Sequence, residues 1–160
     1  MDDIQFNTKH YLKLLEQDPS HRYRSWEHCY NFFKNEDLSR GDDKTGKLAC
    51  LNLGFYLASR GMYSGLNGLL WKDYTVYSRL VEILMEPAYS SQWGVGINQL
   101  EYNHTLIDHI FELSDKLSST ISSISYQKEV DGDTDHINAT DALVTKIMFA
   151  TMGCVPSYDT

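Results

Sequence analysis

The sequence predicts an all-α fold: one compact domain over residues 1–160, with about seven helices around a buried central helix at 45–60. Three observations predict it. The run Lys47–Asp73, KLACLNLGFYLASRGMYSGLNGLLWKD, is too apolar for a surface helix and too often broken by glycine for a membrane span. Within it, apolar side chains fall on every face of Leu48–Ala58, the pattern of a helix enclosed by its neighbours. Residues 98–124 then repeat apolar side chains at helical spacing, with Leu100, Ile107, Leu117, Ile121 and Ile124 on one face, joined by Ile110 and Phe111. No segment reads as a convincing strand.

The other elements follow in order. Residues 4–16 form a first helix that turns Phe6, Leu12 and Leu15 to the core. Asp18-Pro19-Ser20 is a helix start signal. A second helix over 20–35 places Arg22, Trp26, Cys29 and Phe33 on one stripe and Tyr23, Glu27, Tyr30 and Lys34 on the next. The polar stretch Asn35–Lys47 is a loop, and Gly61 caps the central helix. Ser64–Trp71 and Tyr74–Glu86 read as short helices, the second stopped by Pro87. Tyr89–Gly96 is a loop before the long helix, and an acidic loop, EVDGDTDH, follows it. The last helix runs from Thr140, its cap, to Met152, and Asp141 suits its positive end. Gly153 and Pro156 close it.

Composition narrows the function. The apolar fraction is 42% and charged residues are 22%, both ordinary for a globular chain. The net charge of -8 repels nucleic acid, so direct nucleic-acid binding is not expected, and it attracts basic partners. No basic stretch precedes an apolar one at the N-terminus, and no window reaches the roughly 20 apolar residues of a span, so the expected location is the cytoplasm, away from membranes. Cys29, Cys50 and Cys154 lie far apart with no zinc spacing and read as reduced thiols. No cofactor and no metal are expected.

Four patterns carry candidate chemistry. Arg22 and His28, five residues intervening, resemble the Arg-x(4–6)-His motif of HEPN-type ribonucleases, and Arg24 is a further cation beside them. In such an enzyme His exchanges the 2′-hydroxyl proton and Arg stabilises the phosphorane charge. The structural alternative sets Arg24 and His28 one turn apart on an outer face, with the Arg22 stem beside Trp26. Asp131, Asp133 and Asp135 imitate the opening of a calcium loop, but His136 stands where glycine is needed and Ala142 where a bidentate Glu should be. A helix with Lys146 leading to Pro156 and Asp159 is similar to helix-hairpin-helix DNA glycosylases, without their Gly-x-Gly turn. His104 reads as a hydrogen-bonded core histidine. The apolar face of 98–124 also fits a homodimer seam, in which Ile107 would be central.

Two blocks resemble a family of uncharacterised bacterial proteins. One is HRYRSWEHCY (21–30) with LACLNLGFYLASRGMYSG (48–65) and LLWKDY (69–74); the other is ATDALVTKIMFATMGCVPSYD (139–159). The resemblance implies no catalytic residue. It also implies further helices past the Pro-x-Tyr-Asp element, so the chain reads as a fragment or as a shortened version carried on a mobile element. The expected function is a small acidic, non-enzymatic binding or inhibitor protein, anti-CRISPR-like, that occludes a protein partner with a basic surface. Its contact residues would be Tyr63, Trp71, Tyr74, Tyr77, Tyr89 and Trp93, a minority of them core, and the acidic residues Asp42, Asp43, Asp131, Asp133 and Asp135, which would mimic phosphates.

Overall fold

Short polar side chains start three of the helices, where the backbone N–H groups need acceptors. The computed structural model describes residues 2–36, 42–63, 68–94, 103–127, 132–153 and 155–157. Among them are six α-helices: α1 (Asp2–Gln17), α2 (Arg24–Asn35), α3 (Asp43–Ser59), α4 (Ser78–Leu84), α5 (His104–Ser122) and α6 (Asp141–Thr151). Asp42 caps α3 by accepting from the Thr45 N–H at 2.8 Å. Asn103 does the same for α5 through Leu106, and Thr140 caps α6 through Leu143, as expected. Short 3-10 turns occupy Leu69–Trp71, Tyr74–Tyr77 and Pro87–Gln92. No helix among the described residues is long and apolar enough to cross a membrane.

The fold is therefore mainly helical, with one addition that the sequence hid. An antiparallel pair, β1 (Ser125–Gln127) and β2 (Thr134–His136), aligns Tyr126 with Asp135. Three-residue strands are too short for alternation to show. Tyr126 turns inward and lies against Gly68, which takes φ +80°. That close approach seats the hairpin on the helical body.

The core draws on every helix except most of α1. Cys29 and Phe33 of α2, Leu53, Tyr56 and Leu57 of α3, Leu80, Ile83 and Leu84 of α4, Leu113, Leu117 and Ile121 of α5, and much of α6 are buried together. Trp26 joins α2 to α6: its ring stacks on Phe149 at 5.2 Å and its Nε1–H donates to the Phe149 carbonyl at 3.2 Å. Gly54 lets Tyr77 lie directly on α3, where the Tyr63 and Tyr77 hydroxyls meet at 2.7 Å.

Several expectations need correction. α3 is half enclosed: α2 and the 74–77 turn cover one side, while Leu48, Leu51 and Phe55 face outward, Phe55 at 68% exposure. Apolarity on all faces does not say which face is covered. The helix enclosed almost all round is α6, with Ala142, Leu143, Val144, Ile147, Met148 and Ala150 buried. Among the described side chains of α1, Leu15 alone is buried, and Phe6 and Leu12 are exposed. Tyr74–Glu86 divides into a 3-10 turn and α4, and Pro87 opens a further turn. His104 stands exposed at the start of α5.

Candidate functional site

The first two turns of α3 and the outer face of α4 enclose a groove of about 440 Å³, within the size range of ligand-binding clefts. Asp42 and Asp43 form its mouth because both begin α3. Gly46 contributes no side chain, and a Cβ added there would meet nothing within 4 Å, so the first turn stays open. Cys50, one turn further, forms part of the floor. The opposite wall is Ser78, Val81, Glu82 and Met85, the helical i, i+3, i+4, i+7 face of α4, continued by Thr75.

The rim is acidic and the floor is apolar. Asp42, Asp43 and Glu82 face Lys47 alone among cations lining the groove. Lys47 Nζ pairs with Asp43 Oδ2 at 2.6 Å, and Arg79 Nη1 with Glu82 Oε2 at 2.7 Å from outside the groove. These exposed pairs are weak, because water and salt screen them, and they exchange readily for another cation. The Asp43 hydrogen bond and charge hold the Lys47 ammonium above its ordinary value. Burial raises the Cys50 thiol, an effect reduced by Ser78, whose hydroxyl lies 3.8 Å from Sγ. Such a site suits a cationic side chain with an aliphatic stem: the head meets the carboxylates and the stem covers Val81 and Met85.

Asp73 caps the 74–77 turn, which carries the groove residue Thr75. Its carboxylate accepts from the Thr75 hydroxyl at 2.5 Å and from the Thr75 N–H at 2.7 Å, which hold it below the ordinary aspartate value. A carboxyl depressed by folding stabilises the folded state above its unfolded value and loses that contribution as pH falls through the folded one. The Thr75 amide resonance is thus expected to stay constant from neutral pH to about pH 4 and to move only below it. Movement centred above that range would contradict the capping role.

The proposed site residues divide. Asp42 and Asp43 line the groove. Asp135 lies half-buried in β2 and accepts from the Tyr126 hydroxyl at 3.3 Å; Asp133 is exposed just before it, and neither lines the groove. Asp131 and Asp159 lie outside the described residues. Tyr77 and Tyr89 are core, each 1% exposed, and they are the minority anticipated among the six aromatics. Tyr89 donates to Glu112 at 3.4 Å. Trp93 stacks on Phe33, Tyr63 and Tyr74 are half-buried, and Trp71 at 38% is the most open of the six.

Arg24 is engaged in the fold. Nη1 pairs with Glu27 at 3.0 Å and Nη2 donates to the Leu15 carbonyl at 3.3 Å, which ties α1 to α2. Arg22 precedes α2, with its guanidinium over the Tyr23 ring at 5.6 Å. His28 is exposed on α2. Because Arg22 lies before the start of α2, helical spacing does not set it and His28 on one face. Neither lines the groove.

Cys29 is buried beneath α2, and loss of water pushes its thiol up to about 12. Since the thiolate is the nucleophile, Cys29 is expected to resist alkylation at pH 8 until urea unfolds the chain. Mass mapping of the modified peptides checks this, and rapid native labelling of Cys29 would contradict it.

Among the described residues, no group of three His, Cys, Asp or Glu side chains is placed to hold a metal ion. The α4 wall, comprising Ser78, Val81, Glu82 and Met85, was missed from sequence. Its helical spacing was visible, but nothing in the sequence indicated that α3 would face it. Comparison with protein-family models, curated proteins and solved structures gave no match.

Proposed function

We propose that this chain is a non-enzymatic binding protein that occludes a partner by taking a basic segment into the groove between α3 and α4. The acidic rim over an apolar floor carries this reading: Asp42, Asp43 and Glu82 stand around Val81, Met85 and Cys50. A lysine or arginine from the partner would exchange with Lys47 and Arg79 for the carboxylates, at little cost because those pairs are exposed. The net charge of -8 steers a basic surface towards the site. An inhibitor of a nucleic-acid-binding protein, in the counter-defence manner of an anti-CRISPR, uses this chemistry. The alternative, a ribonuclease acting through Arg22 and His28, has less support because Arg24 is committed to Glu27 and Leu15.

The reading is tested by affinity capture from bacterial lysate with wild type and with Glu82→Lys/Met85→Lys. Both positions are at the groove and outside the deep core, so the variant should fold. A stoichiometric basic protein retained by wild type at low salt, and lost from the variant, is the expected result. Equal capture by both chains would overturn the groove reading. RNA cleavage that depends on His28 would favour the nuclease instead.

A further inference from the structure

Among the described side chains of α1, the buried and half-buried ones lie in its second half. Leu15 is buried, Tyr11 and Leu14 are half-buried, and Tyr11 reaches Tyr23 and Glu27 of α2. Gln5–His10 are exposed throughout, and Phe6 is 69% exposed. A helical stretch this short is marginal in water unless something packs on it. Its outward face carries Phe6, Lys9 and Lys13, with His10 alongside: an aromatic followed by two cations at steps of three and four residues. Among the described residues neither lysine forms an ion pair.

The outer face of α5 has the complementary pattern. Asp108, Phe111 and Asp115 stand at the same steps of three and four, with Glu112 beside them. All are exposed, Phe111 at 66%. Leu106, Leu113, Leu117 and Ile121 occupy the opposite side of the helix and hold it to the core. Each stripe spans eight residues, seven rises or about 10.5 Å of helix, so the two match in length.

Charge decides which occupant fits. At a net charge of -8, two copies repel in most orientations, and they attract only where a basic patch on one meets an acidic patch on the other. The outward faces of α1 and α5 are such a pair, and each also exposes a phenylalanine that water penalises.

We propose that the outward Phe6–Lys13 face of α1 docks on the Asp108–Asp115 face of α5 in a second copy of this chain. Lys9 and Lys13 meet Asp108, Glu112 and Asp115, with Phe6 and Phe111 shielded in the contact. Reciprocal exchange of the two arms gives a two-fold dimer. The surface is separate from the α3–α4 groove and does not depend on the function assigned to it.

The test is the molar mass of the full chain by light scattering on sizing, at rising protein concentration and in low and high salt. Wild type is expected to be a dimer at low salt and to dissociate as salt screens the contact. Lys9→Glu/Lys13→Glu and Asp108→Lys/Asp115→Lys alter exposed positions, so both should fold with unchanged helix content. Each alone is expected to be monomeric, since its arm and its acceptor face now carry the same sign. Mixed together, they are expected to form a heterodimer, because both contacts regain opposite signs. A wild type that stays monomeric at every concentration would overturn the proposal. So would a dimer that survives either reversal, or reversed chains that stay monomeric when mixed.

Discussion

Gly68→Ala should destabilise the fold by about 3 kcal/mol or more, measured by urea unfolding. Two costs coincide there. The backbone takes φ +80°, a region that costs an L-residue roughly 1–2 kcal/mol. A Cβ would also stand 2.7 Å from Tyr126 Cδ1 and closer still to Cε1. Tyr126 is 7% exposed and paired through β1 to β2, so the ring cannot move aside without lifting the hairpin. Gly61→Ala is the control. Its φ is +75°, but nothing lies within 4 Å of the added atom, so it should cost only the backbone part, about 1–2 kcal/mol. Equal losses at the two positions would mean that the hairpin is not seated on Gly68.

Leu57→Ala should cost about 2–5 kcal/mol, whereas Phe55→Ser on the same helix should stay within about 0.5 kcal/mol. Leu57 is fully buried between α3 and its neighbours, and its removal leaves a cavity. Phe55 is 68% exposed and loses little contact when truncated. The contrast measures how far α3 is enclosed. A large loss at Phe55 would restore the expectation of a helix covered on every side.

That contrast also shows what was legible in the sequence. The helical class was readable from apolar spacing, and so were the caps at Thr140 and the Trp26–Cys29–Phe33 stripe of α2. Which side of α3 is covered was not readable, because Leu48, Leu51 and Phe55 are as apolar as Leu53 and Leu57. Tertiary packing chose between them. That α6 would be the most enclosed helix was not readable either, because its neighbours along the chain do not show what surrounds it. The hairpin escaped because its strands hold three residues each and its contact with Gly68 spans more than fifty residues of chain. The site was half legible. Asp42 and Asp43 were chosen for their charge, and they do line the groove. Asp133 and Asp135, chosen for the same reason, belong to the hairpin. The α4 wall needed the fold, since Val81, Glu82 and Met85 become a surface only when α4 lies against the start of α3. Tyr77 and Tyr89 show the converse: tyrosines proposed as contacts serve as core, their hydroxyls met by Tyr63 and Glu112.

The groove as a receptor for a cationic, partly aliphatic segment is the central claim. The most direct measurement is a titration of the isotopically labelled chain with a Lys/Leu peptide, following backbone amide shifts and using a Glu/Leu peptide of the same length as comparison. Saturable shifts confined to Gly46, Cys50, Thr75, Ser78, Glu82 and Met85, seen with the cationic peptide only, are the predicted result. Shifts scattered over the surface, or the same shifts from both peptides, would contradict it.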